Sequence, residues 1–148
     1  MARAKAVRVL RDLPIVKGFR PLWMRPSYRS AVTMALEEYE AIRLVDYERL
    51  THEQASISMG VSRPTLTRIY EQARIKLGTA LVEGRSFLIE GGEVKLSGHH
   101  YYCEECQHKF VQKEKHPKPQ NCPTCSSQRI TNLSECFMQG CRRCSRCR

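Results

Sequence analysis

Cysteine is absent from the chain before Cys103, and apolar residues form no run approaching the roughly 20 positions that a membrane-spanning helix needs. The N-terminus also lacks the apolar stretch of a secretion signal. These absences argue against a membrane protein and against a secreted protein held together by disulfides. We therefore expect a cytoplasmic chain with no membrane partner, in which clustered cysteines bind metal.

The patterns of common enzyme sites are also missing. The segment HEQAS at 52–56 begins like a zinc-protease helix, but Ser56 stands where the second histidine ligand is needed. A zinc deaminase requires a proline before its Cys-x-x-Cys pair, and here Pro123 lies inside the pair. There is no Gly-rich phosphate loop and no nucleophile elbow. We expect that the protein is not an enzyme.

Acidic residues are scarce at both ends of the chain. The net charge is +10, and residues 1–30 contain eight Lys or Arg but only one Asp. Residues 31–98 are close to balanced, whereas 99–148 carry nine bases and four acids. Basic segments on either side of a near-neutral body are typical of a protein that binds a polyanion, and nucleic acid is the favoured partner.

Apolar spacing and turn residues predict four parts. Residues 1–32 form a basic arm with a short strand near 7–10, 33–97 a helical domain, 98–131 a small β module, and 132–148 a tail rich in Cys and Arg. The helical domain is expected to contain helices at about 35–48, 52–59 and 63–82. The segment SFLIEGGEVKL places Gly-Gly between two strand-like runs and predicts a β hairpin at its end.

The stretch SMGVSRPTLTRIY at 58–70 interrupts one helix and starts the next at once. Thr51 and Gln54 fit a capping box for the second helix, and Ser62 followed by Pro64 fits the start of the third. Two helices joined by a short turn containing glycine form a helix-turn-helix. The turn at Gly60 would then direct five apolar residues inward: Ala55, Met59, Val61, Leu66 and Ile69.

The third helix is predicted to present its polar residues to the DNA major groove. An arginine can bind guanine O6 and N7 with two hydrogen bonds, and Ser or Thr can bind a base or a phosphate. The free N–H groups at the helix start suit a backbone phosphate. The predicted DNA-binding residues are Ser62, Arg63, Pro64, Thr65, Thr67 and Arg68.

Four stretches carry a family resemblance: FRP at 19–21, EEYEAIRLVDYERLTHEQAS at 37–56, MGVSRPTLTRIYEQARIKL at 59–77 and ALVEGRSFLIEGG at 80–92. Residues 1 to about 92 resemble domain-of-unknown-function family 134, uncharacterised proteins predicted to bind DNA through a helix-turn-helix like that of sigma-70 factor region 4. The resemblance implies a transcriptional regulator and carries over Ser62, Arg63, Thr65 and Arg68 as DNA contacts. The chain departs from the family at Arg49, where glycine is usual, and at Ile57, where a charged residue is usual.

The cysteines fall into two groups. Cys103 and Cys106 form one Cys-x-x-Cys pair, and Cys122 and Cys125 form a second one after fifteen intervening residues, a pattern that predicts a zinc ribbon. In the tail, Cys136, Cys141, Cys144 and Cys147 could hold a second zinc or an iron–sulfur cluster, or no metal at all.

These patterns predict a mainly α N-terminal domain, a helix-turn-helix of three helices with a small β hairpin, followed by a small β zinc-ribbon module. The predicted function is sequence-specific regulation of transcription through double-stranded DNA. The alternative is a zinc-ribbon interaction protein that docks on RNA polymerase or binds RNA. A homodimer is a further possibility, because binding to paired half-sites raises DNA affinity. The sequence has no heptad pattern that would support one.

Overall fold

The structure is a computed structural model that describes residues 7–23, 30–114 and 117–140. None of the helices in these ranges combines the length and the apolar character needed to span a bilayer. Contacts divide the described chain into two compact units. The first consists of residues 7–11 and 16–95 and the second of 12–15 and 96–140, each apart from the undescribed positions.

The described residues contain four α-helices, two of which continue directly into π-helical turns. They are α1 (Leu36–Ile42) with the π turn Arg43–Tyr47, α2 (His52–Met59), α3 (Arg63–Glu83), and α4 (Leu133–Glu135) with the π turn Cys136–Gly140. The predicted bounds of α2 and α3 are therefore confirmed to within one residue. The first helix is shorter than predicted, because its regular hydrogen bonding changes at Arg43.

Side-chain caps fix where α2 and α3 begin, and a glycine fixes where α2 ends. Thr51 accepts from the backbone N–H of Gln54, and the Gln54 side chain accepts from the N–H of Thr51, which confirms the capping box. Ser62 caps α3 in the same way through the N–H of Thr65. Gly60 ends α2 in the left-handed conformation, φ 65°, which a side chain disfavours. Two helices thus meet at a short, rigid turn.

The core of the first unit lies between α1, α2 and α3. Ala55, Met59 and Leu66 are completely buried, and Val61 and Ile69 pack against them at the edge. The five inward positions predicted from the sequence are therefore confirmed. Leu44, from the π turn, joins the same core. Burial of these side chains, rather than helix propensity, holds the helices together.

Eight short strands form three sheets within the described ranges. The strands are β1 (Arg8–Leu10), β2 (Gly18–Phe19), β3 (Val32–Met34), β4 (Phe87–Ile89), β5 (Val94–Leu96), β6 (His99–Cys103), β7 (Lys109–Gln112) and β8 (Ile130–Asn132). Strand β1 pairs with β5, and the second sheet has the order β2-β4-β3, with β4 antiparallel to β2 and parallel to β3. The third sheet, β7-β6-β8, is antiparallel throughout.

The hairpin predicted at Gly91 and Gly92 is wrong. Both glycines adopt positive φ, as in a tight turn, but β4 and β5 on either side of them belong to different sheets. The Gly91 carbonyl accepts from the N–H of Leu36 at 3.0 Å, so the loop caps the start of α1. Gly92 adopts φ 103°, a backbone conformation that residues with a side chain rarely adopt, which explains why this position favours glycine.

The predicted fold class, mainly α with a helix-turn-helix of three helices, is also wrong. Five of the eight described strands begin before residue 97, and α1 to α3 pack in a unit that contains these strands, so the described chain shows no clear helix-turn-helix domain of three helices. Strands of two or three residues are too short to show an alternating pattern in the sequence. Strand β4 also pairs with β2, which lies far away along the chain. The four-part division of the chain stays a prediction.

The second unit is built on the β7-β6-β8 sheet. Tyr101 of β6 stacks on Phe110 of β7 with ring centroids 5.4 Å apart, and burial raises the pKa of the Tyr101 phenol. Leu133 of α4 is also buried. The backbone N–H of His100 donates to Ser134 Oγ at 2.9 Å, which ties α4 to β6. The register places the end of β6 beside the starts of β7 and β8, with Tyr102 opposite Lys109 and Cys103 opposite Ile130.

Candidate functional site

The start of α3 is exposed and free of negative charge. Its first turn contains no acidic residue, and Pro64 occupies a position whose missing N–H costs no helical hydrogen bond. Arg63, Pro64 and Arg68 are exposed. Within the described ranges, neither guanidinium group forms an ion pair or a hydrogen bond. Both cations are therefore accessible to a ligand in solvent.

The hydroxyl groups of the predicted set are engaged within the chain. Ser62 Oγ lies 2.8 Å from Thr65 Oγ1 in addition to capping the helix. Thr67 Oγ1 donates to the Arg63 carbonyl at 3.1 Å and lies 3.1 Å from His52 Nδ1. The contact between Thr67 and His52 joins α2 to α3. These hydroxyls hold the turn in shape, while the arginines project from it.

A polar network that the sequence did not reveal fixes α3 against the π turn after α1. The Tyr70 hydroxyl donates to Asp46 Oδ1 at 2.7 Å, and the Tyr70 ring meets the His52 ring edge-on with centroids 5.1 Å apart. Burial, followed by the bond to Asp46, raises the pKa of Tyr70. Arg74 lies above the same ring, 5.6 Å from its centroid. Asp46 and Tyr70 lie 24 positions apart, so their contact leaves no local pattern in the sequence.

The predicted basic arm is only partly accessible. Lys5 lies outside the described residues, and Arg8 of β1 is 7% exposed. Arg8 therefore cannot act as the freely projecting phosphate contact that its position in a basic arm suggests. Further along the same segment, Trp23 is fully exposed and adopts φ 63°. Basic residues in a sequence do not by themselves show which of them reach solvent.

The structure brings Cys103, Cys106, Cys122 and Cys125 together, as their spacing predicts. Their four sulfur atoms all lie within 4.8 Å of one another. Cys103 and Cys125 are 3.5 Å apart, and Cys106 and Cys122 are 3.6 Å apart. Zinc–sulfur bonds of ~2.3 Å in a tetrahedron place sulfur atoms ~3.8 Å apart, whereas a disulfide requires ~2 Å. This cluster could hold a metal ion such as zinc.

The two Cys-x-x-Cys loops have the same backbone design. In each, the residue after the second cysteine adopts the left-handed conformation, Gln107 with φ 60° and Ser126 with φ 60°. The N–H of Gln107 donates to the Cys103 carbonyl, and the N–H of Ser126 donates to the Cys122 carbonyl. Thr124 N–H also points at Cys122 Sγ at 3.4 Å. These hydrogen bonds close each loop around its two cysteines.

The thiols influence one another's ionisation. Burial raises the pKa of Cys122, but N–H groups of Cys125 and Thr124 and the neighbouring thiols outweigh it and lower the pKa to about 6. For Cys106, an N–H from His108 favours the thiolate, yet loss of solvent and the three other cysteines raise the pKa to about 12. Metal binding requires all four sulfur atoms as thiolates, and a divalent metal ion would offset their charge.

Most of the second predicted site cannot be placed. Cys141, Cys144 and Cys147 lie outside the described residues. Cys136 is buried in the π turn that follows α4 and is not a member of the four-cysteine cluster. A second zinc or an iron–sulfur cluster in the tail stays a prediction.

Comparison with known proteins identifies the family. A family model described as "Protein of unknown function DUF134" matches residues 1–97. The chain belongs to the DUF134 family. The expected resemblance to this family is thus confirmed, while DNA binding is a property that the family description does not state.

Relatives of this DUF134 chain are found in bacteria and archaea. A UPF0251 protein of Chloroherpeton thalassium is 39% identical over 137 residues, which are 93% of this chain and 90% of the relative. A UPF0251 protein of Methanothermobacter thermautotrophicus is 36% identical over 134 residues, 90% of this chain and 69% of the relative. The similarity therefore continues beyond the residues that the family model covers. No solved structure matches the chain.

Proposed function

We propose that this protein is a DNA-binding transcriptional regulator that reads base edges with Arg63 and Arg68. The observation that carries the proposal is the exposure of both guanidinium groups at the start of α3, with no internal carboxylate to neutralise them in the described chain. Arginine in this situation is suited to the two acceptor atoms of guanine in the major groove. A helix of 21 residues that exposes one side of its first half is long enough to enter that groove.

The surroundings of α3 support the same proposal. The Ser62 cap and the packing of Leu66 on Met59 hold the first turn of α3 in one orientation, so little order has to be gained on binding. The free N–H groups of that turn favour a phosphate oxygen. The net charge of +10 supplies long-range attraction to DNA.

We further propose that the four-cysteine cluster holds one zinc ion in a structural role. Four sulfur ligands fill a tetrahedral zinc site, so no position is left for a reacting water. The group consisting of Cys103, Cys106, Cys122 and Cys125 would bind the ion and thereby fix the loops that follow β6 and precede β8. Zinc chemistry would thus contribute stability instead of catalysis.

The experiment is selection of genomic fragments by the purified full chain, followed by affinity measurements on the selected duplex. Arg63→Ala or Arg68→Ala is expected to cost ~1 to 3 kcal/mol on the selected sequence and to reduce discrimination against changed bases. Lys95→Ala is the matched control, because Lys95 is an exposed cation on β5 and not on α3. Lys95→Ala should lower the affinity for all duplexes slightly and by the same factor.

Two outcomes would contradict the proposal. If Arg63→Ala and Lys95→Ala lowered affinity for every duplex by the same factor, α3 would not be reading bases. If the full chain selected no fragment but bound core RNA polymerase, the docking alternative would take its place. Tight binding to RNA with weak binding to duplex DNA would favour the RNA alternative.

A further inference from the structure

The second unit contains a cavity of about 400 Å³ beside the β7-β6-β8 sheet. Its lining comes from the start of β6, the end of β8, α4 with its π turn, and the turn after β7, all within the same unit. Protein cavities that bind small molecules have volumes of ~300 to 1,000 Å³. This cavity is therefore large enough to hold a small ligand, and none of the four clustered cysteines is among its lining residues.

The strand register explains why polar side chains meet at this cavity. Tyr101 of β6 is paired with Asn132 of β8, and His99 stands two residues before Tyr101 on the same strand. These three residues therefore lie on one face of the sheet. Ser134 Oγ accepts from the backbone N–H of His100 at 2.9 Å, which holds α4 against β6. Residues of α4 and its π turn thus supply a second wall of the cavity.

Two lysines from the turn after β7 give the cavity an excess of positive charge. Gln112 Nε2 donates to the Pro117 carbonyl at 2.9 Å, which draws together the two ends of that turn and with them Lys113 and Lys118. Lys118 donates to Glu135 Oε1 at 2.8 Å. Within the described ranges, the ammonium group of Lys113 forms no ion pair and no hydrogen bond. The lining therefore contains two lysines but only one carboxylate.

The rest of the lining is largely apolar. Leu96 and Met138 line the cavity together with Tyr101, which is only 4% exposed. Burial raises the pKa of the Tyr101 phenol, and the charges of Lys118 and Glu135 act on it as well. The phenol therefore keeps its proton at neutral pH and can donate it in a hydrogen bond. An apolar wall beside a few polar groups is the usual composition of a small-molecule site.

We propose that this cavity binds a small organic anion, a phosphate monoester or a carboxylate attached to an apolar body. The anionic group lies between Lys113 and Lys118, since an ammonium group is a compact charge that suits an oxyanion. The apolar body contacts Tyr101, Leu96 and Met138. A cationic ligand is disfavoured, because the lysines outnumber the carboxylate. The proposal does not depend on base reading by α3, and its test uses no DNA.

Four small molecules separate the parts of the proposed recognition. Isothermal titration calorimetry of the full zinc-loaded chain compares phenyl phosphate, benzoate, benzyl alcohol and inorganic phosphate. Benzyl alcohol lacks the charge, and inorganic phosphate lacks the apolar body. Phenyl phosphate or benzoate should bind at least ~10-fold more tightly than either of these two, because it alone uses both the lysines and the apolar wall. The tighter of the two organic anions identifies the anionic group.

Two substitutions in the cavity should change the affinity in opposite directions. Lys113→Ala removes the unpaired cation and should weaken binding of the preferred anion ~10-fold. Glu135→Gln releases Lys118 from its carboxylate and should strengthen binding ~3-fold. The Lys118–Glu135 pair is exposed, so its loss should leave the fold intact by circular dichroism. A gain in affinity cannot come from damage to the fold.

Lys95→Ala serves as the control for charge, because it removes an exposed lysine that does not line the cavity. It should leave the affinity for the preferred anion unchanged. The proposal would be overturned if neither organic anion bound at ~10 mM, or if benzyl alcohol bound as tightly as both of them. Equal losses in Lys113→Ala and Lys95→Ala, or weaker binding by Glu135→Gln, would also overturn it.

Discussion

Arg49 shows how a single residue can be strained in an otherwise regular segment. Its φ of 61° lies in the left-handed region, where a Cβ collides with the backbone of an L-residue. Arg49 follows the π turn, and Leu50 N–H closes the end of this turn onto the Leu44 carbonyl at 3.0 Å. The family resemblance implies glycine at this position. The structure supplies the physical reason, since glycine adopts this conformation without a steric cost.

Arg49→Gly is therefore expected to stabilise the protein by ~1 kcal/mol. This net gain is the steric strain relieved in the folded state minus the entropic cost of the greater backbone freedom of glycine in the unfolded chain. Chemical denaturation in the presence of zinc, followed by circular dichroism, measures the change. Arg49→Ala removes the same charge but keeps the Cβ, so it should give no gain. Equal stabilisation by both variants would mean that the charge, and not the backbone, is responsible.

At the scale of elements, α1 and its π turn are joined through a buried ion pair. Glu40 is completely buried and accepts from Arg43 Nε and Nη2, both at 2.8 Å. It also accepts from the backbone N–H of Arg11 at 3.1 Å, which holds the end of β1 against α1. Arg43 forms a further ion pair with the exposed Glu48. One carboxylate thus links a strand, a helix and a turn.

Removing Glu40 should leave the partly buried guanidinium of Arg43 with only the exposed Glu48 as a partner. Glu40→Ala is expected to lower the free energy of unfolding by ~3 to 5 kcal/mol, measured by denaturant titration. Glu48→Ala breaks an exposed pair of the same arginine and should cost under ~1 kcal/mol. A double variant without both Glu40 and Arg43 should lose less than Glu40→Ala alone; a larger loss would show that the pair itself is not the source of the stability.

The sequence predicted the elements whose signals are local. The caps at Thr51 and Ser62, the turn at Gly60 and the inward apolar residues depend on neighbours within one or two helical turns, and all of them are confirmed. The two Cys-x-x-Cys loops are local in the same sense, and their spacing brought the four cysteines together. Contacts such as Tyr70 to Asp46, or Arg11 to Glu40, join residues that are distant in the sequence, so local sequence patterns could not predict them.

For the molecule as a whole, a metal ion should decide whether the second unit is ordered. This unit has a small apolar core around Tyr101, Phe110 and Leu133, and structural zinc in comparable peptides contributes ~10 to 16 kcal/mol. Chelation of the purified chain is therefore expected to disrupt β6, β7 and β8 while α1 to α3 persist. Hydrogen exchange measured separately for the two units checks this expectation.

Substitution of the cysteines tests how many metal ions the four-cysteine cluster binds. Cys103→Ser with Cys122→Ser should reduce the metal content by one ion per chain, whereas Cys136→Ser, outside the cluster, should leave that ion bound. Because the ligands bind as thiolates, the ion should be released as the pH falls and protons compete for sulfur. Unchanged metal content in the double variant would exclude this site.

The order in which the chain is synthesised has a consequence for the sheet β2-β4-β3. Its central strand, β4 (Phe87–Ile89), emerges from the ribosome after both outer strands, β2 and β3, because α1, α2 and α3 lie between β3 and β4 in the sequence. Strands β2 and β3 must therefore wait with unpaired edges until their common partner arrives, and β1 waits longer still for Val94–Leu96. A nascent or truncated chain that stops before Phe87 would expose the edges of all three strands, so its risk of aggregation is highest at that stage of translation.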